Sequence, residues 1–151
     1  MNSEDFLNVI ERTPLVSIDI ILKNQLGEIL LGRRTNRPAK DFWFVPGGRI
    51  RKNETLHAAM SRISSVELGV ELQIDNSKLI GAYDHIYTDN FLGKSGVSTH
   101  YVALGYEVNF PSECLLNFDA QHSEVRWWPL SLLLESDLVH DNTKAYFENK
   151  K

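Results

Sequence analysis

Apolar and polar positions alternate over residues 15–22, Leu-Val-Ser-Ile-Asp-Ile-Ile-Leu, which predicts a strand, and Asn24 to Gly27 reads as the turn that closes it. Residues 28–33 predict the returning strand, and residues 43–45 a short buried one, ended by Pro46-Gly47-Gly48. The period then changes. Leu56, Ala59, Met60, Ile63 and Val66 recur at helical spacing and predict an amphipathic helix over 54–68, with Asn53 as N-cap and Gly69 as the stop. Two long strands follow at 79–87 and 99–108, joined by a polar loop, and another at 124–128. Residues 129–135 predict a short helix and 142–148 a C-terminal one. Strands interleaved with helices predict an α/β layered sandwich.

Composition narrows this picture only at a few points. The 151 residues suit a single domain over 1–151 with its own core, and no repeat, low-complexity tract or linker divides them. Cys114 is the only cysteine, so no internal disulfide is expected. No apolar run is long enough to span a membrane, and the acidic N-terminus lacks a signal-peptide pattern, so no membrane partner and a cytoplasmic location are expected. Charge is more informative. The net charge is −4, yet residues 33–52 hold Arg33, Arg34, Arg37, Lys40, Arg49, Arg51 and Lys52 against Asp41 alone. A basic segment in an acidic chain suits a small anionic ligand, because Arg forks onto phosphate oxygens. The acidic remainder disfavours nucleic acid.

The basic segment runs into a Gly-rich turn and the helix. Gly48, then Glu54 after five residues, Arg62 after seven more, and finally Glu67-Leu68-Gly69-Val70 form a spaced pattern. It resembles the Nudix box, the metal-binding loop-helix-loop of hydrolases that cut nucleoside diphosphates linked to another group. The resemblance covers nearly the whole chain and implies a Nudix-type α/β/α sandwich around a mixed sheet. The usual box continues Arg-Glu-hydrophobic-x-Glu-Glu-x-Gly, whereas this chain reads Arg62-Ile63-Ser64-Ser65-Val66-Glu67-Leu68-Gly69. Positions 63, 66 and 67 are spaced to share a helix face, and only Glu67 keeps a carboxylate there. A lone carboxylate suits one loosely held Mg²⁺ that retains waters and substrate phosphate, and not a multi-metal centre. Within the family, this loss is similar to the GDP-mannose mannosyl hydrolase branch, which cuts at the sugar carbon.

What that resemblance implies for individual residues follows. Glu67, the backbone carbonyl of Gly47 (or Gly48) and the side-chain amide of Gln121 would hold one Mg²⁺, for which Mn²⁺ can substitute. His122 would be the general base, a role that a group titrating near neutral pH can fill. Arg34 and Arg49 are the expected cations for the leaving diphosphate, with Arg37 a weaker third, and fixed cations stabilise charge where it develops. Asp19, His85, Tyr87 and Tyr101 match positions that line the sugar pocket. A buried mid-strand carboxylate needs partners, so Asp19 reads as catalytic or as a structural hydrogen-bonding group, and Tyr87 and Tyr101 fit core packing equally well. Asp5 and Phe6 match guanine contacts. Glu54 and Arg62 read as a structural ion pair orienting the loop. His57, His100 and His140 receive no role, and Trp43, Trp127 and Trp128 read as core aromatics. A homodimer is implied, with the N-terminal segment reaching its partner.

The expected reaction is Mg²⁺-dependent hydrolysis of GDP-mannose, or GDP-glucose, to GDP and free sugar with inversion at the anomeric carbon. Two alternatives stand beside it. One is a conventional Nudix pyrophosphatase releasing GMP, which the missing carboxylates at 63 and 66 oppose. The other is a non-catalytic nucleotide-sugar sensor, which the joint presence of Glu67, Gln121 and His122 opposes. No Walker-type loop, nucleophile elbow or paired cysteines suggest other chemistry.

Overall fold

The computed structural model describes residues 1–110 and 122–148. In chain order the elements are α1 (Ser3–Arg12), β1 (Leu15–Lys23), β2 (Ile29–Arg34), β3 (Trp43–Phe44), β4 (Gly47–Arg49), α2 (Leu56–Leu68), β5 (Lys78–Tyr87), β6 (Thr99–Asn109), β7 (His122–Trp128), α3 (Leu130–Glu135) and α4 (Asp141–Lys144). The strands form a mixed sheet of order β3-β2-β1-β6-β5, with β4 paired to β1 and β7 to β2. β1 runs parallel to β6 from Leu15↔Tyr101 to Lys23↔Asn109, and the other pairings are antiparallel.

β1 is covered on both faces, which explains why its alternation gives way to three consecutive buried apolar residues, Ile20, Ile21 and Leu22. Ile18, Ile20 and Leu22 pack with Ala59, Met60, Ile63 and Leu68 of α2. Ile21 packs with Leu31, Trp43, Trp128 and Leu133 on the α3 side. The expected α/β sandwich is therefore the observed one. Period-two alternation puts Ser17 and Asp19 on the face of Ile21, and at that end of the strand the apolar filling gives way to a cavity.

Several local expectations need correction. α2 begins at Leu56, and its cap is Thr55, whose Oγ1 accepts from the Ala58 amide at 3.1 Å. Asn53 instead sits in the preceding turn with φ 66°. Glu54 is held outside the helix because its carboxylate is taken by Arg51 N and by Arg62. Gly69 ends the helix at φ 71°, as expected. The buried face is Ala59, Met60, Ile63, Ser64, Glu67 and Leu68. Leu56 is 42% and Val66 51% exposed, so positions 63 and 67 face inward and 66 does not. Ser64 takes a place in that face because its Oγ donates to Met60 O and accepts from Leu72 N, which anchors the chain leaving the helix.

Residues 47–49 are a strand where a turn was expected, and α1 was not expected at all. Asn2 caps α1 by accepting from Asp5 N at 2.8 Å, and Leu7 and Ile10 bury against Leu15 and Val97. α4 is shorter than expected, capped by His140 Nδ1 accepting from Asn142 N.

The expected ion pair is present. Arg62 Nε and Nη2 donate to the two Glu54 oxygens at 2.7 and 2.9 Å, and Nη2 also donates to Arg49 O at 2.8 Å. The Arg62 hydrogen bonds, opposed by partial desolvation, push the Glu54 carboxyl down from 4.5 to about 2. A depressed carboxyl contributes stability that is present above pH 4.5 and is lost as pH falls through about 2. Arg62→Ala is expected to destabilise the fold by about 1–3 kcal/mol at pH 7. The gap between wild type and variant in thermal unfolding should narrow as pH falls through that window. A gap that stays constant would show that the pair is not its source.

Candidate active site

The cavity opens where the first half of β1, β4 and the last turn of α2 meet the far ends of β5 and β6. Asp19, Arg34, Gly47, Arg49, Glu67, His85, Tyr87 and Tyr101 all line it. These are eight of the residues singled out from the sequence, brought together from six elements. Ser17, Pro38, Phe44 and Val45 complete the wall and were not singled out as its lining, and Gly48, the alternative carbonyl donor, lies there too.

The β1–β4 pairing sets the floor. Asp19 lies opposite Gly47 in register. A Cβ on Gly47 would overlap Asp19 Oδ1 and come within 2.6 Å of Ile18 O, so only glycine permits this approach. A Cβ on Gly48 would meet Ile63 Cγ1 at 3.1 Å, so Ile63, itself 1% exposed, supports the loop from beneath. Glu67, on the same helix, is buried at 4% exposure while bordering the cavity. It is the only carboxylate in α2. Among the described residues, no three His, Cys, Asp or Glu side chains converge to hold a metal.

Asp19 is a partly buried carboxylate with partners. Its Oδ2 accepts from Tyr146 Oη at 2.6 Å and lies 3.8 Å from His85 Nδ1. Burial pushes it up to about 6, against the Tyr146 hydrogen bond and the Arg34 charge, which hold it down. His85 is buried, and desolvation, with the His140 charge, pushes it down to about 4, so its ring is neutral at neutral pH. Burial pushes Tyr87 up to about 12 and raises Tyr101, so both are neutral hydroxyls. Next to these, Arg34 Nε donates to Pro38 O at 3.0 Å, and the Arg49 guanidinium lies 4.2 Å over the Phe6 ring.

Three expected residues are placed differently. Arg37 lies in an adjoining cleft with Phe6, sharing Arg34 and Tyr101 with the cavity. Its fork is closed on both Asp89 oxygens at 2.7 Å, so its charge is already matched and it is not a third cation for a diphosphate in this arrangement. Phe6 reaches the site through Arg49, but Asp5 is exposed in the first turn of α1 and borders neither space. Gln121 lies outside the described residues. His122 opens β7, and its backbone is paired opposite Arg34, at the cavity end of β2. Tyr146 was missed altogether. No motif marks it, and it reaches Asp19 only through the fold.

Guanidinium groups and a buried carboxylate line one glycine-floored cavity, a lining suited to a phosphorylated ligand and a cation. Residues 13–148 match the NUDIX domain, and the chain belongs to the Nudix family of hydrolases. It is similar to the low-salt glycan biosynthesis protein Agl8 of Haloferax volcanii, with 39% identity over 119 residues, covering 78% of this chain and 72% of the relative. The fold is similar to the MutT NUDIX hydrolase from Burkholderia pseudomallei, with TM-score 0.75 and 25% identity over 93% of this chain and 100% of that one. It is also similar to the MutT protein from Methanosarcina mazei Go1, with TM-score 0.71 and 20% identity over 90% and 92% of the two chains. No helix among the described residues is long and apolar enough to cross a membrane.

The raised Asp19 carboxyl has a pH signature. The folded state keeps its proton above the ordinary 3.8, so the associated stability is present below that pH and is lost as pH rises through about 6. Asp19→Asn removes the titration. With a chelator present, the variant should gain on wild type by on the order of 2 kcal/mol between pH 4 and 7.5, read from chemical denaturation. Parallel stability curves would show that Asp19 titrates normally.

Proposed function

We propose that the chain hydrolyses GDP-mannose to GDP and free mannose, with Mg²⁺, by attack of water at the anomeric carbon. The observation that carries this reading is the inner face of α2. Where the usual box has carboxylates, Ile63 is core beneath Gly48 and Val66 faces solvent, which leaves Glu67 as the helix's one acid toward the cavity. Nudix hydrolases generally use a divalent metal. The donors proposed for it are hard oxygens: the buried Glu67 carboxylate, the Gly47 carbonyl and, as the resemblance implies, the Gln121 amide. That set fits a single Mg²⁺ that keeps its waters, and when bound the ion would offset the charge of the diphosphate.

The chain's own residues divide the remaining work. Arg34 and Arg49 hold the diphosphate and stabilise the charge that gathers on it as it leaves. Asp19, His85, Tyr87 and Tyr101 offer an acceptor and neutral hydrogen-bonding groups to sugar hydroxyls. His122 takes a proton from water, the new bond forms from that oxygen to the anomeric carbon, and the bond from carbon to the phosphate oxygen breaks. GDP whose charge is offset by Arg34, Arg49 and a bound cation would be a good leaving group without a general acid, so no second catalytic carboxyl of the glycosidase kind would be required. The Haloferax relative is named a glycan biosynthesis protein, and an activated sugar as substrate is in keeping with such a role.

Reaction of GDP-mannose in ¹⁸O-labelled water is expected to place the label in mannose and to release GDP. Label in phosphate with GMP as product would identify a pyrophosphatase, and no turnover a sensor. Either outcome overturns the proposal.

His122→Ala is expected to lower kcat by roughly 10²–10⁴-fold with KM little changed, because the diphosphate is held elsewhere. A variant retaining near-native kcat would exclude His122 as the base.

A further inference from the structure

We infer that Tyr146 is a positioning residue, which acts through Asp19 to set how the cavity recognises the sugar half of its ligand. This rests on the nucleotide-sugar reading above. Tyr146 is 7% exposed, in the turn after α4, and does not line the cavity. Its ring fills space that Gly105 leaves open, since a Cβ there would come within 2.6 Å of Tyr146 Cε1. It packs edge-on against Tyr83 at 4.6 Å between centroids, and lies 5.7 Å from the His85 ring. A ring clamped in this way has its hydroxyl direction fixed, and Oη donates to Asp19 Oδ2 at 2.6 Å.

The other carboxylate oxygen is constrained too, because Oδ1 faces the bare Cα of Gly47. Asp19 is therefore oriented from both sides before any ligand arrives. Beside it, the buried Nε2 of His85 has no hydrogen-bond partner among the described residues, although the ring borders the cavity. A sugar hydroxyl that reaches this wall meets a carboxylate already oriented, beside an imidazole whose Nδ1 lies 3.8 Å from Asp19 Oδ2. The diphosphate cations are held by other groups, Arg34 Nε by Pro38 O and Arg49 over the Phe6 ring. Losing the Tyr146 hydroxyl should thus affect the sugar and spare the nucleoside diphosphate. A role in core packing alone would survive replacement by Phe, which keeps the ring.

The test is Tyr146→Phe. For GDP-mannose, kcat/KM is expected to fall roughly tenfold, the worth of a hydrogen bond to a charged group, while the Kd for GDP stays unchanged. In the Asp19→Asn background the same substitution should add little further loss. Equal weakening of GDP and GDP-mannose, no change for either, or additive losses in the double variant would each overturn the inference. ADP-ribose against ADP provides a second pair. Wild-type activity on that pair but not on GDP-mannose would end the GDP-mannose reading and leave the test of Tyr146 intact. If neither pair is bound, crystal structures of the ligand-free wild type and Tyr146→Phe decide. A rotated Asp19 carboxylate supports the inference, and an unmoved one overturns it.

Discussion

The absence of a side chain at Gly47 is the constraint on which the site is built. β4 lies against β1 through Ser17↔Arg49, Ile18↔Gly48 and Asp19↔Gly47, and the last of these pairs leaves no room for a Cβ. That pairing draws the basic loop into the sheet, sets Arg49 beside the cavity and delivers the chain to α2. Once there, the loop is held by Arg62, which binds Glu54 and the carbonyl of Arg49 together. Ile63 then supports Gly48 from the helix side. Each contact is small, but all act on one short segment, so the position of Glu67 relative to Asp19 follows from how β4 docks.

Burial explains why a cavity with several titratable groups is electrically quiet on one wall and charged on the other. His85, Tyr87 and Tyr101 are pushed toward their neutral forms. Asp19 is drawn upward by the same desolvation, and Tyr146 and Arg34 oppose it. Arg34 and Arg49, by contrast, remain cations. A ligand with one polar uncharged half and one anionic half matches this division.

Much of this was legible in the chain because it lies in local periodicity or spacing. β1 follows from alternation, β5 and β6 from long strand-like runs on either side of a polar loop, the end of α2 from Gly69, and the Glu54–Arg62 pair from the motif. The misses have a common physical origin. Thr55 displaced Asn53 as cap because Glu54 was claimed by Arg62, a contact eight residues away. Leu56 and Val66 satisfied helical spacing, yet the sheet selected the face of Met60, Ile63 and Glu67. Arg37 looked like a free cation because Asp89, which neutralises it, lies 52 residues on. Tyr146 meets Asp19 across 127 residues, a separation at which no sequence pattern operates.

The same selection of faces bears on chemistry. A carboxylate at position 66 would project to solvent from the helix as it packs here, while one at 63 would have to be buried under Gly48 without the aliphatic contact that Ile63 now makes. Ile63 thus trades a prospective ligand for core packing, and the loop above it is supported by an apolar side chain where a metal cluster would need charge. With a single acid left on that face, the helix is poorly equipped to generate hydroxide from metal-bound water. In the proposed reaction, proton abstraction then falls to a residue outside the helix. β7 enters the sheet opposite Arg34, at the cavity end of β2, and so brings the backbone of His122 to the side of the site where such a residue is required.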